Sequence, residues 1–105
     1  MSMMQRHNKA SAGVRVRVEL FGMARLVCGC PALELQLHDD TTLADVARAL
    51  AIACPALRGV ALTTEGTGLL ESYTVNLNGH TFVTETGVHL QPGDTLLLFS
   101  SQAGG

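Results

Sequence analysis

Thr95-Leu96-Leu97-Leu98-Phe99 is an unbroken apolar run that follows Gln91-Pro92-Gly93-Asp94, a turn with proline and glycine where a tight reversal favours them. A strand with one wet face alternates polar and apolar residues. A run that does not alternate is expected to be covered on both faces, and so to lie inside a sheet. The remaining chain must then supply neighbouring strands and a cover.

Val14 to Phe21 reads VRVRVELF, with Val14, Val16, Val18 and Leu20 alternating with Arg15, Arg17 and Glu19. That period of two predicts a half-buried strand, with the two arginines solvating its wet side. Gly22 breaks it, Met23 to Val27 can make a short helical turn, and Gly29 and Pro31 punctuate a loop. Leu33 to Leu37 alternates again around Glu34 and Gln36, so the two strands are expected to pair as a hairpin. His38-Asp39-Asp40-Thr41 reads as a polar turn. Thr42 is an N-cap candidate, and Asp45 three residues on completes a weaker form of a capping box. Leu43, Val46, Ala47, Leu50, Ala51 and Cys54 then recur at spacings of three and four, the stripe of an amphipathic helix that Pro55 ends. Residues 61 to 71 show no firm pattern and read as a loop. Tyr73 to Leu77 reads as a strand, Asn78-Gly79 as a hairpin turn because both residues tolerate positive φ, and His80 to Thr84 as the return strand. Val88 and Leu90 are expected to dip into the core.

The order is strand, strand, helix, strand, short strand, strand. A helix stripe needs a sheet face to cover, and the strands are the only source of one. The expected fold is α+β: a mixed sheet of four or five strands with one main helix packed across a face. The last strand lies at the centre, parallel to the first, which is the β-grasp or ubiquitin-like arrangement. Residues 1–13 read as a flexible N-terminal arm, 14–99 as the domain, and 100–105 as a flexible tail ending Gly-Gly.

Composition narrows the function. A chain of 105 residues, 47% hydrophobic and 15% charged, suits one domain with a modest core. The net charge of -2 provides no broad basic footprint, so nucleic acid is not expected as a partner. Every Lys and Arg lies at or before Arg58, and the stretch beyond carries only Glu65, Glu71, Glu85 and Asp94. That acidic half either steers a basic partner surface or simply keeps the chain in solution. No apolar run reaches the roughly 18 residues of a membrane helix, and no signal-peptide pattern opens the chain, so a soluble cytoplasmic protein is expected. Three cysteines, an odd number, argue against a disulfide scaffold: Cys28 and Cys30 read as small loop fillers and Cys54 as core. His38, His80 and His89 lack metal-motif spacing, no histidine has a recognisable nucleophile beside it, and no metal is expected. Lys9, the sole lysine, lies in the arm. No phosphate-loop motif is present, so no cofactor is expected on this chain.

The chemistry is then expected at the tail. Gly104 and Gly105 have no side chains and can thread a slot too narrow for other residues, delivering a carboxyl group. A carboxylate is a poor electrophile; adenylation installs a leaving group, and an incoming sulfur then makes a thiocarboxylate. The bland alternative is that two glycines are a frayed end.

The sequence resembles the MoaD/ThiS family of ubiquitin-like sulfur carriers, most closely the molybdopterin synthase small subunit. The features are Leu20-Phe21-Gly22 with Arg25 soon after, Thr42-Leu43-Ala44-Asp45-Val46, Pro55-Ala56-Leu57, Val75-Asn76-Leu77-Asn78-Gly79, Gly93-Asp94 and Gly104-Gly105. The resemblance implies that Gly105 bears the adenylate and then the thiocarboxylate, with Gly104 threading. It implies that Phe99, Ser100, Ser101, Gln102 and Ala103 contact the partner. ATP would be used by a ubiquitin-activating-like adenylyltransferase, and sulfur supplied by a sulfurtransferase. The sulfur would build the dithiolene of molybdopterin in a heterotetramer with two large subunits, the carrier having no independent catalytic activity. Ser100-Ser101-Gln102 departs from the prolines and small apolar residue common in the synthase subunit. Other roles therefore stay open: a carrier for thiamine or another pathway, a ubiquitin-like protein modifier, or a β-grasp interaction module with an inert tail.

Overall fold

In the computed structural model, which describes residues 13–101, the apolar run sits at the centre of a five-stranded sheet. The elements in chain order are β1 (Gly13–Leu20), α1 (Met23–Cys28), β2 (Ala32–His38), β3 (Asp40–Thr41), α2 (Leu43–Ala53), β4 (Tyr73–Leu77), β5 (Thr81–Phe82), β6 (Val88–His89) and β7 (Thr95–Ser100). The large sheet runs β2-β1-β7-β4-β5, and β3 pairs with β6 in a small second sheet. β7 lies parallel to β1, with Val18 opposite Leu96 and Leu20 opposite Leu98, and antiparallel to β4, with Val75 opposite Leu98. The β1–β2 hairpin has Val16 opposite Leu35. This is the expected β-grasp: a mixed sheet with one main helix across its face.

The inward residues are those the alternation marks. Val14, Val16, Val18 and Leu20 of β1, Leu35 and Leu37 of β2, Val75 of β4, and Leu96 and Leu98 of β7 are all buried. Val46, Ala47, Leu50 and Ala51 of α2 close over them. The helix starts where its sequence says it should. The Asp45 amide donates to Thr42 Oγ1 at 3.2 Å, and the Thr42 amide donates to Asp45 Oδ2 at 3.1 Å, a complete reciprocal cap. Hydrogen bonding from the Thr42 backbone, more than any other influence, holds the Asp45 carboxyl below the usual carboxylate range. Pro55 opens a 3₁₀ turn, Pro55–Leu57, whose Leu57 is fully buried while Ala56 is exposed.

Several details depart from the sequence reading. β7 is central but is not covered on both faces: Leu96 and Leu98 are buried, whereas Leu97 and Phe99 are only half-buried on the side away from α2. β1 begins at Gly13, one residue before the alternation shows it. The polar stretch 38–41 is not simply a turn, since Asp40 and Thr41 pair with His89 and Val88. The return strand after Asn78-Gly79 is only Thr81–Phe82, though Val83 still buries and its amide donates to the Val75 carbonyl. Within 61–71, Ala61 and Leu62 are buried, and Leu62 bridges to Arg58 and Leu69. The cysteine reading is corrected. Cys54 is core, as its place on the stripe implied, but Cys28 ends α1 and is disulfide-bonded to Cys54, with 6.1 Å between their Cα atoms. Parity says nothing about which two of three cysteines a fold brings together. Cys30 is free and half-buried. Among the described residues no helix is long and apolar enough to cross a membrane.

Candidate functional site

The site is built around the strand that carries the tail. Strand geometry points successive side chains to opposite faces, so Leu96 and Leu98 anchor β7 in the core while Leu97 and Phe99 stand on the sheet face opposite α2. The register spreads that face into a row. Leu97 lies between Glu19 of β1 and Asn76 of β4, and Asn76 lies opposite Phe82 of β5. Phe99 lies opposite Thr74. Phe82 is 57% exposed, and Phe21, just past the end of β1 and level with Phe99, is 42% exposed. Asn76 in the middle is only 7% exposed, and its Oδ1 has no hydrogen-bond partner among the described residues. A buried carbonyl oxygen ringed by leucine and phenylalanine is costly unless something donates to it. The face thus combines exposed aromatic area with a buried carbonyl oxygen that has no partner among the described residues.

Where the tail leaves, the sequence reading of a loose segment from residue 100 needs correcting. Ser100 is still strand, opposite Tyr73. Ser101 is tied too: its amide and its hydroxyl both donate to the Ser72 carbonyl, at 2.6 and 2.9 Å. A hydroxyl that folds back to a backbone carbonyl is what Ser101 provides in place of a proline. Of the partner-contact candidates, Phe99, Ser100 and Ser101 therefore share the end of β7, while Gln102, Ala103, Gly104 and Gly105 lie outside the described residues.

The start of β7 is equally fixed. The Asn78 side chain accepts from the Thr95 amide at 2.8 Å and donates to Asp94 Oδ1 at 3.0 Å, and the Gln91 amide donates to Asp94 Oδ2 at 2.8 Å. Those bonds, the Asn78 amide foremost, hold the Asp94 carboxyl below its ordinary range. Asp94 is thus committed to the turn, and Glu65, Glu71 and Glu85 are exposed. The basic pair Arg15 and Arg17 is exposed on the wet side of β1, Arg17 at 3.4 Å from Glu19. His38 and His80 are exposed, and His89 Nδ1 lies 3.0 Å from Asp40 Oδ1, a contact that raises its pKa above the ordinary 6.5. No group of three or more metal-ligating side chains comes together among the described residues. One surface hollow, of about 230 Å³, is lined by Asp40, Thr41, Thr42, Thr86, Gly87 and Val88. Sequence reasoning named Phe99 but missed Leu97, Asn76 and Phe82 as its companions. Only strand pairing brings Phe82 beside Asn76 and Leu97, although alternation along 95–99 held the clue to Leu97.

Fold and site together define a ubiquitin-like β-grasp chain with an apolar open face and a tail springing from its central strand. No protein-family model matches the chain, and no curated protein does. Among solved structures it is similar to small archaeal modifier protein 1 from Haloferax volcanii, with 28% identity and a TM-score of 0.70 over 87% of this chain and 99% of that one. It is also similar to small archaeal modifier protein 1 from Methanosarcina acetivorans, with 26% identity and a TM-score of 0.66 over 89% and 98% of the two chains. A chain assigned as molybdopterin converting factor subunit 1 from Pyrococcus furiosus shares the fold at 19% identity, with a TM-score of 0.61 over 83% and 97%.

Proposed function

We propose that this chain is a sulfur carrier acting in the cytoplasm, the small subunit of a molybdopterin synthase, working through the carboxyl of Gly105. The observation that carries the reading is the placement of β7: the strand leading to Gly104-Gly105 is the central one, and its outer side chains lie on an open apolar face. A partner that docks on Leu97, Phe99 and Phe82 receives the tail at a fixed origin, Ser101.

In the partner adenylyltransferase, a Gly105 carboxylate oxygen attacks the α-phosphorus of ATP and pyrophosphate leaves. A sulfurtransferase then supplies sulfur at the hydrosulfide level, which adds to the acyl carbon and expels AMP, leaving a thiocarboxylate. Gly104 lets the end enter a narrow channel, first in the activating enzyme and then in the large synthase subunit, where the sulfur is passed into the dithiolene. This chain contributes the acyl group, its positioning and the docking face; ATP is bound by the partner. The assembly expected is two carriers with two large subunits.

A second reading is favoured by the likeness to small archaeal modifier proteins, which is higher in identity than the likeness to the molybdopterin converting factor subunit. A modifier uses the same adenylate, but a lysine amine of a target protein expels AMP to give an isopeptide bond. One experiment separates the readings. The intact chain is isolated from its native cell and its mass is compared with that of a Gly105-deleted form. A sulfur carrier gains about 16 Da from oxygen-to-sulfur exchange, placed on Gly105 by fragmentation and absent after deletion. Thiol-resistant adducts to lysines of other proteins, with no thiocarboxylate, would select the modifier. An ordinary carboxylate in the presence of activating enzyme, ATP and sulfur source would overturn the sulfur-carrier reading and move the modifier and inert-module readings ahead, and the absence of lysine adducts as well would overturn the modifier.

A further inference from the structure

Helix α1 has little of its own to hold it. It is six residues long, its N-cap is Gly22 with no side-chain capping bond, and only Ala24 is fully buried. Met23 and Leu26 are exposed, Leu26 at 72%. A helix this short is not self-sustaining in water, so its place depends on tertiary ties. The covalent tie is at its last residue: Cys28 is bonded to Cys54, the residue that caps the C-terminus of α2. The Cα separation of 6.1 Å is one that a disulfide spans without backbone movement.

Location gives the tie a meaning. α1 begins two residues after β1 ends, and the end of β1 is level with the end of β7, Leu20 opposite Leu98. The helix therefore follows β1 at the end of the sheet from which the tail departs. Arg25, Leu26, Gly29, Cys30 and Pro31, residues on either side of Cys28 in the chain, line an open hollow of about 270 Å³. Cys28 is half-buried whereas Cys54 is buried, so attack is directed to the more exposed Cys28 and Cys54 is the leaving thiolate.

We propose that Cys28 and Cys54 form a reversible thiol–disulfide site that latches α1 to the end of α2, with low-molecular-weight thiols and disulfides of the glutathione class as its substrates. Opening takes two thiols. The first, as thiolate, attacks Cys28 Sγ, forming a mixed disulfide and releasing the Cys54 thiolate, which takes up a proton. The second attacks the mixed disulfide, freeing the Cys28 thiol. Two electrons and two protons pass to the cysteine pair, and the two small thiols leave as one disulfide. Closing is the reverse, with the small disulfide as oxidant. Cys30 is outside the pair and stays a free thiol in both states.

The test uses the full chain equilibrated across a series of reduced-to-oxidised glutathione ratios, quenched and alkylated. Intact mass then counts free thiols, and hydrogen exchange follows residues 21–30. The expected result is one label, on Cys30, at the oxidising end and three at the reducing end, reached reversibly. Exchange across 23–28 should be at least tenfold faster in the reduced form, with β1 and β7 unchanged. Cys30→Ser should switch as the parent does, and Cys54→Ser should behave as permanently open; if Cys54→Ser does not fold, the reduced parent carries the same readout. Three labels at every ratio, one label at every ratio, a bond mapped to Cys30, or opening that leaves exchange at 23–28 unchanged would each overturn the proposal.

Discussion

Replacing Leu98 and Phe99, adjacent residues on β7, should separate folding from docking. Leu98 is fully buried between Leu20 and Val75. Leu98→Ala removes its branched end from a packed site, which typically costs about 2–5 kcal/mol. Against a total stability of roughly 5–15 kcal/mol, a loss of about 3 kcal/mol is large. At about 4–8 °C per kcal/mol for a domain of this size, it lowers Tm by roughly 12–24 °C. Phe99 is half-buried on the open face. Phe99→Ala forfeits only part of an aromatic burial, about 1 kcal/mol, so Tm should fall by roughly 4–8 °C. Its effect on docking should be the larger one, since truncating a central aromatic typically costs about 2 kcal/mol of binding, or roughly thirtyfold in Kd.

Thermal unfolding followed by circular dichroism measures the first quantity. Titration calorimetry against the adenylating partner, at a temperature where both variants are folded, measures the second. The reasoning fails on the fold side if Leu98→Ala moves Tm no more than Phe99→Ala. It fails on the docking side if Phe99→Ala binds the partner within twofold of the parent chain.

Four further outcomes follow from individual contacts. Thr42→Ala removes the side-chain half of the reciprocal cap of α2 and should cost about 1 kcal/mol, read as a Tm shift. The depressed carboxyls of Asp45 and Asp94 contribute stability that is complete above their ordinary value of 3.8 and is lost as pH falls through their lower folded values; carbon-detected titration of both side chains should give midpoints below 3.8. His89 has the opposite sign: its raised pKa gives a contribution present below pH 6.5 and lost as pH rises through the higher folded value, and His89→Gln should remove that dependence from unfolding curves. Gly87→Ala should destabilise the β3–β6 pair by about 1–3 kcal/mol, because φ is +90° there and a new Cβ would sit 2.8 Å from the Thr41 carbonyl oxygen; protection of the Leu90 amide, which donates to Asp39, should drop.

What the residues reveal alone is what depends on near neighbours in the chain. Val14 to Leu20 shows its buried face by alternation, α2 by its stripe and cap, and the β4–β5 reversal by Asn78-Gly79, where Asn78 does adopt a φ of +57°. The features that escaped are pairings between distant residues. Asp40-Thr41 has no alternation to show and becomes strand because Val88-His89 lies beside it. Cys28 and Cys54 are 26 residues apart, and nothing local links them. Ser101 looks like tail until Ser72 is beside it. The unbroken TLLLF run misled in a different way. Leu97 and Phe99 look like core residues, yet they occupy the face that no element of the described chain covers. Apolarity there marks a sheet face that the described residues leave open.

The position of β7 connects that surface to the tail. An edge strand would leave the tail on the least protected part of a sheet, free to fray with it. β7 is bonded on both sides, to β1 and β4, and its inner leucines are fully buried. The origin of the tail is then as stable as the domain itself, and the added bonds of Ser101 to Ser72 carry that order one residue past the strand. A partner gripping Phe82, Leu97 and Phe99 therefore fixes the origin of the following residues rather than a point on a fluctuating edge. Counted from Ser101, the four residues to Gly105 span at most roughly 13 Å when fully extended. A carrier of the kind proposed needs a fixed origin and a narrow end, and the chain supplies the first at Ser101 and the second in the side-chain-free Gly104-Gly105.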